Sequence, residues 1–246
     1  MKSFYKKVSL ISFITFICGI IIFLPAKVSN EWFLPNSIEF YGTKGTLWRG
    51  SAQEGLVSKI YIQNIEWEFL VSKLFERQFA LNASFSLLEN PIKMRISRHF
   101  NGDFSISNSK ANLQNGIVPI FFPELGIDGD ININLSNLVF SDDFISQANG
   151  TISVNNFLIL GLSSTPIGNY VITINTKNNG IYGDIKSIDG ELDVDASLRI
   201  APDRTYYIIG LVASKANTNL YIKEILKFLG TPNALGQREF RFEGSL

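Results

Sequence analysis

Residues 128–135 read Asp-Gly-Asp-Ile-Asn-Ile-Asn-Leu, and this segment gives the clearest indication of the fold class. Its apolar side chains recur at every second position, which is the period of a β-strand rather than of a helix. One side of the strand is Ile or Leu and the other is Asn or Asp, as expected where a sheet buries only one face. Similar alternation follows Asn149-Gly150 and Asp189-Gly190. Because Asp-Gly and Asn-Gly adopt the positive φ angles of tight hairpins, we predict turns at these three dipeptides, with further breaks at Asn179-Gly180 and Tyr182-Gly183.

The spacing of these turn signals predicts a meander in which each strand pairs with its chain neighbours. The expected fold class is therefore mainly β: a single N-terminal transmembrane helix followed by an antiparallel meandering β-sheet domain with one or two short helices. The pattern leaves open whether the sheet is a curved open sheet, a partial barrel or a sandwich.

Two segments of the body are candidates for those short helices. Around 65–75, apolar residues fall at helical spacing, although a strand running into a turn fits nearly as well. The segment Leu220–Leu229 is better marked, because Asn217, Thr218 and Asn219 offer N-cap oxygens and Gly230 with Pro232 would end the helix.

The N-terminal segment Val8–Ala26 contains no charged residue. As a helix its 19 residues would span about 28 Å, close to the thickness of the hydrocarbon core of a bilayer. Lys2, Lys6 and Lys7 precede it and only Lys27 follows closely, so the bias of basic residues predicts a cytoplasmic N-terminus. The run is longer than the apolar region of a cleaved signal peptide, which favours a permanent anchor. We therefore expect a cytoplasmic tail at 1–7, a transmembrane helix at 8–26 and a periplasmic β-rich domain at 27–246.

Composition argues against several classes of function. The formal net charge is zero, and beyond residue 30 the chain carries 18 basic against 22 acidic residues, so no nucleic-acid partner is expected. Cys18 lies inside the apolar run and His99 is the sole histidine, so we expect neither a metal site nor a cofactor. We find no catalytic constellation, and the protein is predicted not to be an enzyme.

A short motif follows the apolar segment: Gly42-Thr43-Lys44-Gly45-Thr46-Leu47-Trp48-Arg49-Gly50-Ser51-Ala52. It resembles the signature of the type II secretion system protein N family. Other parts of the chain are similar to that family in the same order, and together they cover nearly the whole sequence. The residues that carry the resemblance, and that it implies to be structural, are Gly45, Thr46, Trp48, Gly50, Trp67, Pro166, Gly168, Gly230, Pro232, Gly236 and Gly244.

This resemblance implies an accessory inner-membrane subunit that takes part in export of folded proteins from the periplasm across the outer membrane. Its implied partners are the inner-membrane clamp and platform proteins of that system, with the outer-membrane secretin as a further candidate. The alternative is a scaffold similar to the AsmA-like envelope proteins, which would bind lipid on the apolar face of a curved sheet. Phe121, Phe122, Phe140, Phe144 and Phe157 are candidates to line such a groove.

Overall fold

A single antiparallel sheet makes up the body of the chain in a computed structural model, which describes residues 2–28, 37–114, 116–121, 123, 126–142, 144–161, 163–177, 180–216 and 218–245. Within these residues the sheet has fourteen strands. They are β1 (Ile38–Tyr41), β2 (Lys44–Gly45), β3 (Arg49–Val57), β4 (Ile60–Phe69), β5 (Gln78–Leu87), β6 (Asn90–His99), β7 (Phe104–Leu113), β8 (Ile127–Ser141), β9 (Phe144–Ile159), β10 (Gly168–Lys177), β11 (Gly180–Gly190), β12 (Leu192–Ile200), β13 (Thr205–Ser214) and β14 (Arg238–Ser245).

The strand order follows the chain, so the predicted meander is confirmed. From β3 to β14 each strand pairs with the next, while β1 and β2 both pair with β3. Among the described residues β1 and β14 are edge strands that do not pair with one another, so the sheet is open. Of the three architectures that the sequence left open, the structure selects the open sheet.

Most of the predicted turn positions were wrong. Asp128-Gly129 and Asn149-Gly150 lie within β8 and β9, and Tyr182-Gly183 lies within β11. Asp189-Gly190 does end β11, with only Glu191 between it and the start of β12. Gly180 is the first residue of β11, and Asn179 lies outside the described residues. A glycine is needed at Gly150 because a Cβ there would lie 2.4 Å from the carbonyl oxygen of Asn134 on the neighbouring strand.

Two of the observed hairpin turns contain no glycine. Ser58-Lys59 connects β3 to β4, and Leu88-Glu89 connects β5 to β6. All four residues have positive φ, between 46° and 73°. A two-residue loop with positive φ at both positions matches the twist of the flanking strands, so long paired strands on either side impose it on ordinary residues.

The helices are few. The N-terminal helix α1 covers Lys2–Ile22, whereas the sequence predicted 8–26; it begins earlier because nothing in the lysine-containing start opposes a helix. Residues 65–75 divide between the end of β4 and a 3-10 helix at Val71–Glu76, so the alternative of a strand running into a turn is the better description. The short helix α2 covers Val118–Phe121.

The helix predicted at Leu220–Leu229 is present as α3 (Leu220–Leu226), continued by a 3-10 turn at Lys227–Leu229. Asn219 is its N-cap, and its side-chain oxygen accepts a hydrogen bond of 2.9 Å from the backbone N–H of Tyr221. Of the other two predicted caps, Thr218 donates its hydroxyl to the Glu191 carbonyl instead, and Asn217 lies outside the described residues.

One face of the sheet carries a continuous apolar row across ten strands. The register pairs the members of this row from strand to strand: Phe85, Ile92, Ala111, Ile133, Ile152, Ile172, Ile185, Ala196, Gly210 and Phe240. The middle of the row is only half-buried, while the buried clusters lie towards its two ends. One cluster centres on Ala52, Ile62 and Ile65, and the other is formed where α3 covers Ile167 and Val212.

The molecule is consequently extended. Its accessible surface is 15984 Å². A compact monomer of 27.5 kDa would expose about 11,000 Å² by the usual scaling of area with mass. Part of the excess belongs to α1, because the span Tyr5–Ile22 is entirely unburied. A sheet that no described element covers over much of its area also contributes.

Candidate functional site at the helix–sheet junction

The Gly45–Gly50 motif connects α1 to the sheet. Pro25 has no N–H to donate, so the carbonyl oxygen of Ile21, four residues earlier, loses its usual helical partner. Trp48 replaces that partner, because its indole Nε1–H donates to the Ile21 oxygen at 2.7 Å. The backbone N–H of Leu24 donates to the same oxygen at 3.3 Å. A side chain 27 residues away thus satisfies the end of the helix.

The chain that leaves α1 then lies along the motif as a short antiparallel contact. The N–H of Leu47 donates to the Leu24 carbonyl at 2.8 Å, and the N–H of Ala26 donates to the Gly45 carbonyl at 3.0 Å. Pro25 and Thr46 form a bridge between these bonds. Ala26 is 1% exposed, so the segment after the helix is fixed against the sheet rather than free in solvent.

A tight turn at Thr46–Arg49 presents these partners. The N–H of Thr46 donates to the Arg49 carbonyl at 2.9 Å, and the Thr46 hydroxyl oxygen accepts from the Arg49 N–H at 3.2 Å. Gly45 opposes Gly50 in the register, and Gly45 has a φ of +86°. A Cβ at Gly45 would lie 2.6 Å from the Arg49 oxygen, so both the conformation and the space require glycine here.

Trp67 supports the turn from β4. Its indole Nε1–H donates to the Leu47 carbonyl at 3.0 Å, and its ring stacks on Phe40 at 5.8 Å. A Cβ on Gly50 would lie 2.5 Å from Cζ2 of Trp67, so the missing side chain at Gly50 is the space that the indole occupies. Trp48 of the motif and Trp67 of β4 therefore both satisfy backbone carbonyls of the junction.

A polar groove of about 590 Å³ lies beside the junction. Its charged lining is basic on β2 and β3, acidic on β4 and basic again on β6: Lys44, Arg49, Glu66, Glu68, Lys93 and Arg95. Arg49 and Glu68 approach to 4.0 Å, and Arg95 Nε donates to Asn82 at 3.0 Å. These groups form a charged, exposed surface. Within the residues that the structure describes, no cluster of three His, Cys, Asp or Glu side chains could hold a metal ion.

A second group of motif residues lies about the α3 cluster, where strands β10 and β11 approach. Gly168 pairs with Gly190, and a Cβ on Gly168 would lie 2.5 Å from the Asp189 carbonyl oxygen. Ile167, between exposed Pro166 and buried Gly168, is fully buried, and its N–H donates to Phe157 at 2.7 Å. Burial raises the pKa of nearby Tyr170 to about 12, with the charges of Glu191 and Asp189 adding to the effect.

The remaining motif residues are dispersed. Gly230 has a φ of +94° after α3, and Pro232 follows it in an exposed loop. Gly236 closes a turn by donating its N–H to Asn233 at 2.9 Å. Gly244, on β14, lies beneath the ring of Tyr206. The structure therefore brings Gly45, Thr46, Trp48, Gly50 and Trp67 together and leaves the other six elsewhere.

The aromatic residues suggested as a groove lining do not share one face. The rings of Phe140 and Phe104 are tilted against each other with centroids 6.0 Å apart, and Phe157 meets Tyr170 edge-on at 5.4 Å. Ile145, rather than Phe144, opposes Phe140, so alternation places Phe144 on the other face, under the Arg204 guanidinium. Phe122 and the side chain of Phe121 lie outside the described residues.

Comparison with known proteins agrees with the resemblance in the sequence. Residues 36–241 match the family model described as type II secretion system (T2SS), protein N. The chain is similar to the type II secretion system protein N of Vibrio cholerae serotype O1, with 21% identity over 241 residues that cover 93% of each chain. No solved structure matches. Since the family model spans most of the sequence, including the Gly45–Gly50 motif and nearly all of the sheet, the chain belongs to the type II secretion system protein N family.

Proposed function

We propose that the chain is a non-enzymatic, single-pass accessory subunit of the type II secretion machine in the bacterial inner membrane. Membership of the protein N family carries this proposal and makes the chain a component of that secretion system. In this assignment residues 1–7 are cytoplasmic, residues 8–26 contain the span, and residues 27–246 form a periplasmic domain. The unburied helix Tyr5–Ile22 and the lysines at the start of the chain, Lys2, Lys6 and Lys7, support that orientation.

The role proposed for the sheet is to present surfaces to other components during export of folded proteins across the outer membrane. The inner-membrane clamp and platform proteins are the proposed neighbours, with the secretin as a further one. The junction supports this role, because the bonds from Trp48 and Leu47 fix where the sheet begins relative to the end of the helix. A partner would therefore meet the β-domain at a defined height above the membrane.

Secretion by a strain that lacks its own protein N gene tests the role. Expression of the full chain should restore exoproteins to the medium, whereas without it they should accumulate in the periplasm. A variant with residues 1–28 replaced by a cleavable signal peptide should fail, and a second variant carrying an unrelated single-span helix should succeed. Normal secretion in the deletion strain would contradict the proposal.

Orientation has an independent test. Alkaline phosphatase fused after residue 246 is active only outside the cytoplasm, so an inactive fusion with a normally expressed chain would contradict the proposed topology. The same reporter fused to the cytoplasmic tail serves as the reciprocal control.

A second candidate function is lipid binding on the apolar face of the sheet. It is favoured by the ten-strand apolar row, whose members Ile133, Ile152 and Ile172 are only half-buried, with no second layer formed over them by the residues that the structure describes. Mass spectrometry of the detergent-extracted chain should then detect more co-purified phospholipid than in an Ile152→Asp variant. Equal lipid in both proteins, together with crosslinks to secretion components, would contradict this second function.

A further inference from the structure

A row of aromatic rings runs along the rim of the sheet that begins at the end of α1. Trp48, at the start of β3, lies 5.2 Å from Phe69 at the end of β4. Phe69 lies 6.4 Å from Phe79 at the start of β5, and Phe79 lies 5.2 Å from Phe100 in the turn after β6. The four rings thus form one continuous contact along one end of β3 to β6. We call this row the aromatic rim.

The outer part of the aromatic rim is open to solvent. Phe79 is 54% exposed and Phe100 is 60% exposed. The 3-10 helix between Phe69 and Phe79 adds Val71 at 58% and Phe75 at 90%. No side chain of that 3-10 helix is buried, so packing inside the protein does not explain why apolar residues stand there.

The first ring of the row is tied to the membrane helix itself. Trp48 donates to the carbonyl of Ile21 at 2.7 Å, one residue before α1 ends. The 21 residues of α1 span about 31 Å, close to the thickness of the hydrocarbon core of a bilayer. The span Tyr5–Ile22 is unburied, so the sheet does not lie alongside the helix. With α1 placed across the bilayer as proposed, Trp48 lies near the membrane surface.

The composition of the rim suits the region between lipid tails and water. Aromatic rings concentrate in that layer in membrane proteins, and Lys or Arg side chains reach from it to lipid headgroups. Exposed Arg98 lies in register between Phe79 and Phe104, and Arg77 ends the 3-10 helix beside Phe75. Lys73 is paired with Glu76 at 2.7 Å, so the acidic group of this helix meets the membrane as part of an ion pair.

We propose that the aromatic rim, with Val71 and Phe75, inserts into the outer surface of the same bilayer that α1 crosses, so that the sheet stands on the membrane through these residues. The occupant is the interfacial layer of phospholipid. This proposal rests on the transmembrane placement of α1. It is confined to β3–β6, because each step between strands turns the sheet by about 20° and carries the later strand ends away from the membrane plane.

Single-cysteine labelling of the full chain tests the proposal. In a Cys18→Ser background, Phe75→Cys and Phe100→Cys place an environment-sensitive fluorophore on the rim. Leu88→Cys places it at the opposite end of β5, about 33 Å away along a ten-residue strand. Leu88 is the matched control for Phe100, because it is an apolar turn residue that is 49% exposed where Phe100 is 60% exposed. The chain is reconstituted into phosphatidylcholine–phosphatidylglycerol vesicles that contain a lipid with a nitroxide near the headgroup.

Quenching at positions 75 and 100 should be severalfold stronger than at 88, with a blue-shifted emission. Emission at 75 and 100 as water-like as at 88 would overturn the proposal. The wild-type Cys18, labelled alone and quenched by a nitroxide deep in the acyl chains, reports whether α1 spans the bilayer. A quenched Cys18 label with unquenched rim labels would refute the rim alone, whereas an unquenched Cys18 label would refute the anchor and the rim with it.

Discussion

Gly50 is the position where a single methyl group should damage the junction most. In Gly50→Ala the new Cβ would lie 2.5 Å from Trp67 Cζ2 and 2.7 Å and 2.9 Å from the carbonyl oxygens of Lys44 and Thr46. Two of these atoms belong to the backbone of a hydrogen-bonded turn, so they yield little. Overpacking of this kind costs about 1–3 kcal/mol.

Two further terms enter the free energy of unfolding. Displacing the indole weakens its bond to Leu47, which is worth about 1 kcal/mol. Alanine lowers the entropy of the unfolded chain, which returns about 0.4–1 kcal/mol. The expected net loss is about 2 kcal/mol.

Urea unfolding of the full chain in detergent micelles, followed by far-UV circular dichroism, measures this loss. With a slope of about 2 kcal/mol per molar urea, the midpoint should fall by about 1 M. Gly183→Ala is the matched control, since this strand glycine lacks a positive φ and its Cβ would meet only side-chain atoms, the nearest at 3.2 Å. It should shift the midpoint little. Equal shifts for the two variants would show that the backbone around Gly50 is no more tightly packed than that around Gly183.

Three other changes have defined outcomes. Ile222→Ala leaves a cavity in the cluster under α3 and should lower the free energy of unfolding by about 2–4 kcal/mol. Leu220→Ala, on the exposed side of the same helix, should change it by less than about 0.5 kcal/mol. Similar urea midpoints for the two variants would contradict the burial of Ile222. Because the pKa of Tyr170 is raised to about 12 in the folded chain, its contribution to stability is complete below pH 10 and is lost as the pH rises towards 12. In a titration followed by absorbance at 295 nm, Tyr170→Phe should therefore show one tyrosine fewer ionising at the high-pH end than wild type. An unchanged high-pH phase would contradict this. Trp48→Phe keeps a ring but removes the N–H that caps α1, so trypsin should cleave after Lys27 several times faster than in wild type, and equal rates would show that the bond does not hold the segment.

The sheet was predictable because its signal is local. The alternation in residues 128–135 recurs along the body, and strands with one apolar side require neighbours that share that side. The positions of the turns were harder to predict from the sequence. Gly129 and Gly150 carry glycine for a bulge and a close strand contact rather than for a turn, and Ser58-Lys59 turns without glycine because paired strands on both sides impose the conformation.

The contacts of the junction were predictable only in part. The motif from Gly45 to Gly50 was recognisable, and glycines beside a large ring indicated close backbone packing. Its partner was not recognisable, because the bond from Trp48 to Ile21 joins residues 27 positions apart. The one available signal was Pro25, which removes the N–H that would otherwise satisfy Ile21. A proline near the end of an apolar helix therefore indicates that a donor elsewhere in the chain, such as a nearby tryptophan, bonds to the carbonyl four residues before the proline.

The open meander also bears on how the chain acquires its structure. A closed barrel must wait for its last strand to reach its first, but here every strand from β4 onward needs only the strand that precedes it. Contacts between near neighbours in the chain form fast, because little entropy is lost in closing short loops. The sheet can therefore assemble hairpin by hairpin from the α1 end, each finished strand serving as the template for the next, while later residues are still being delivered.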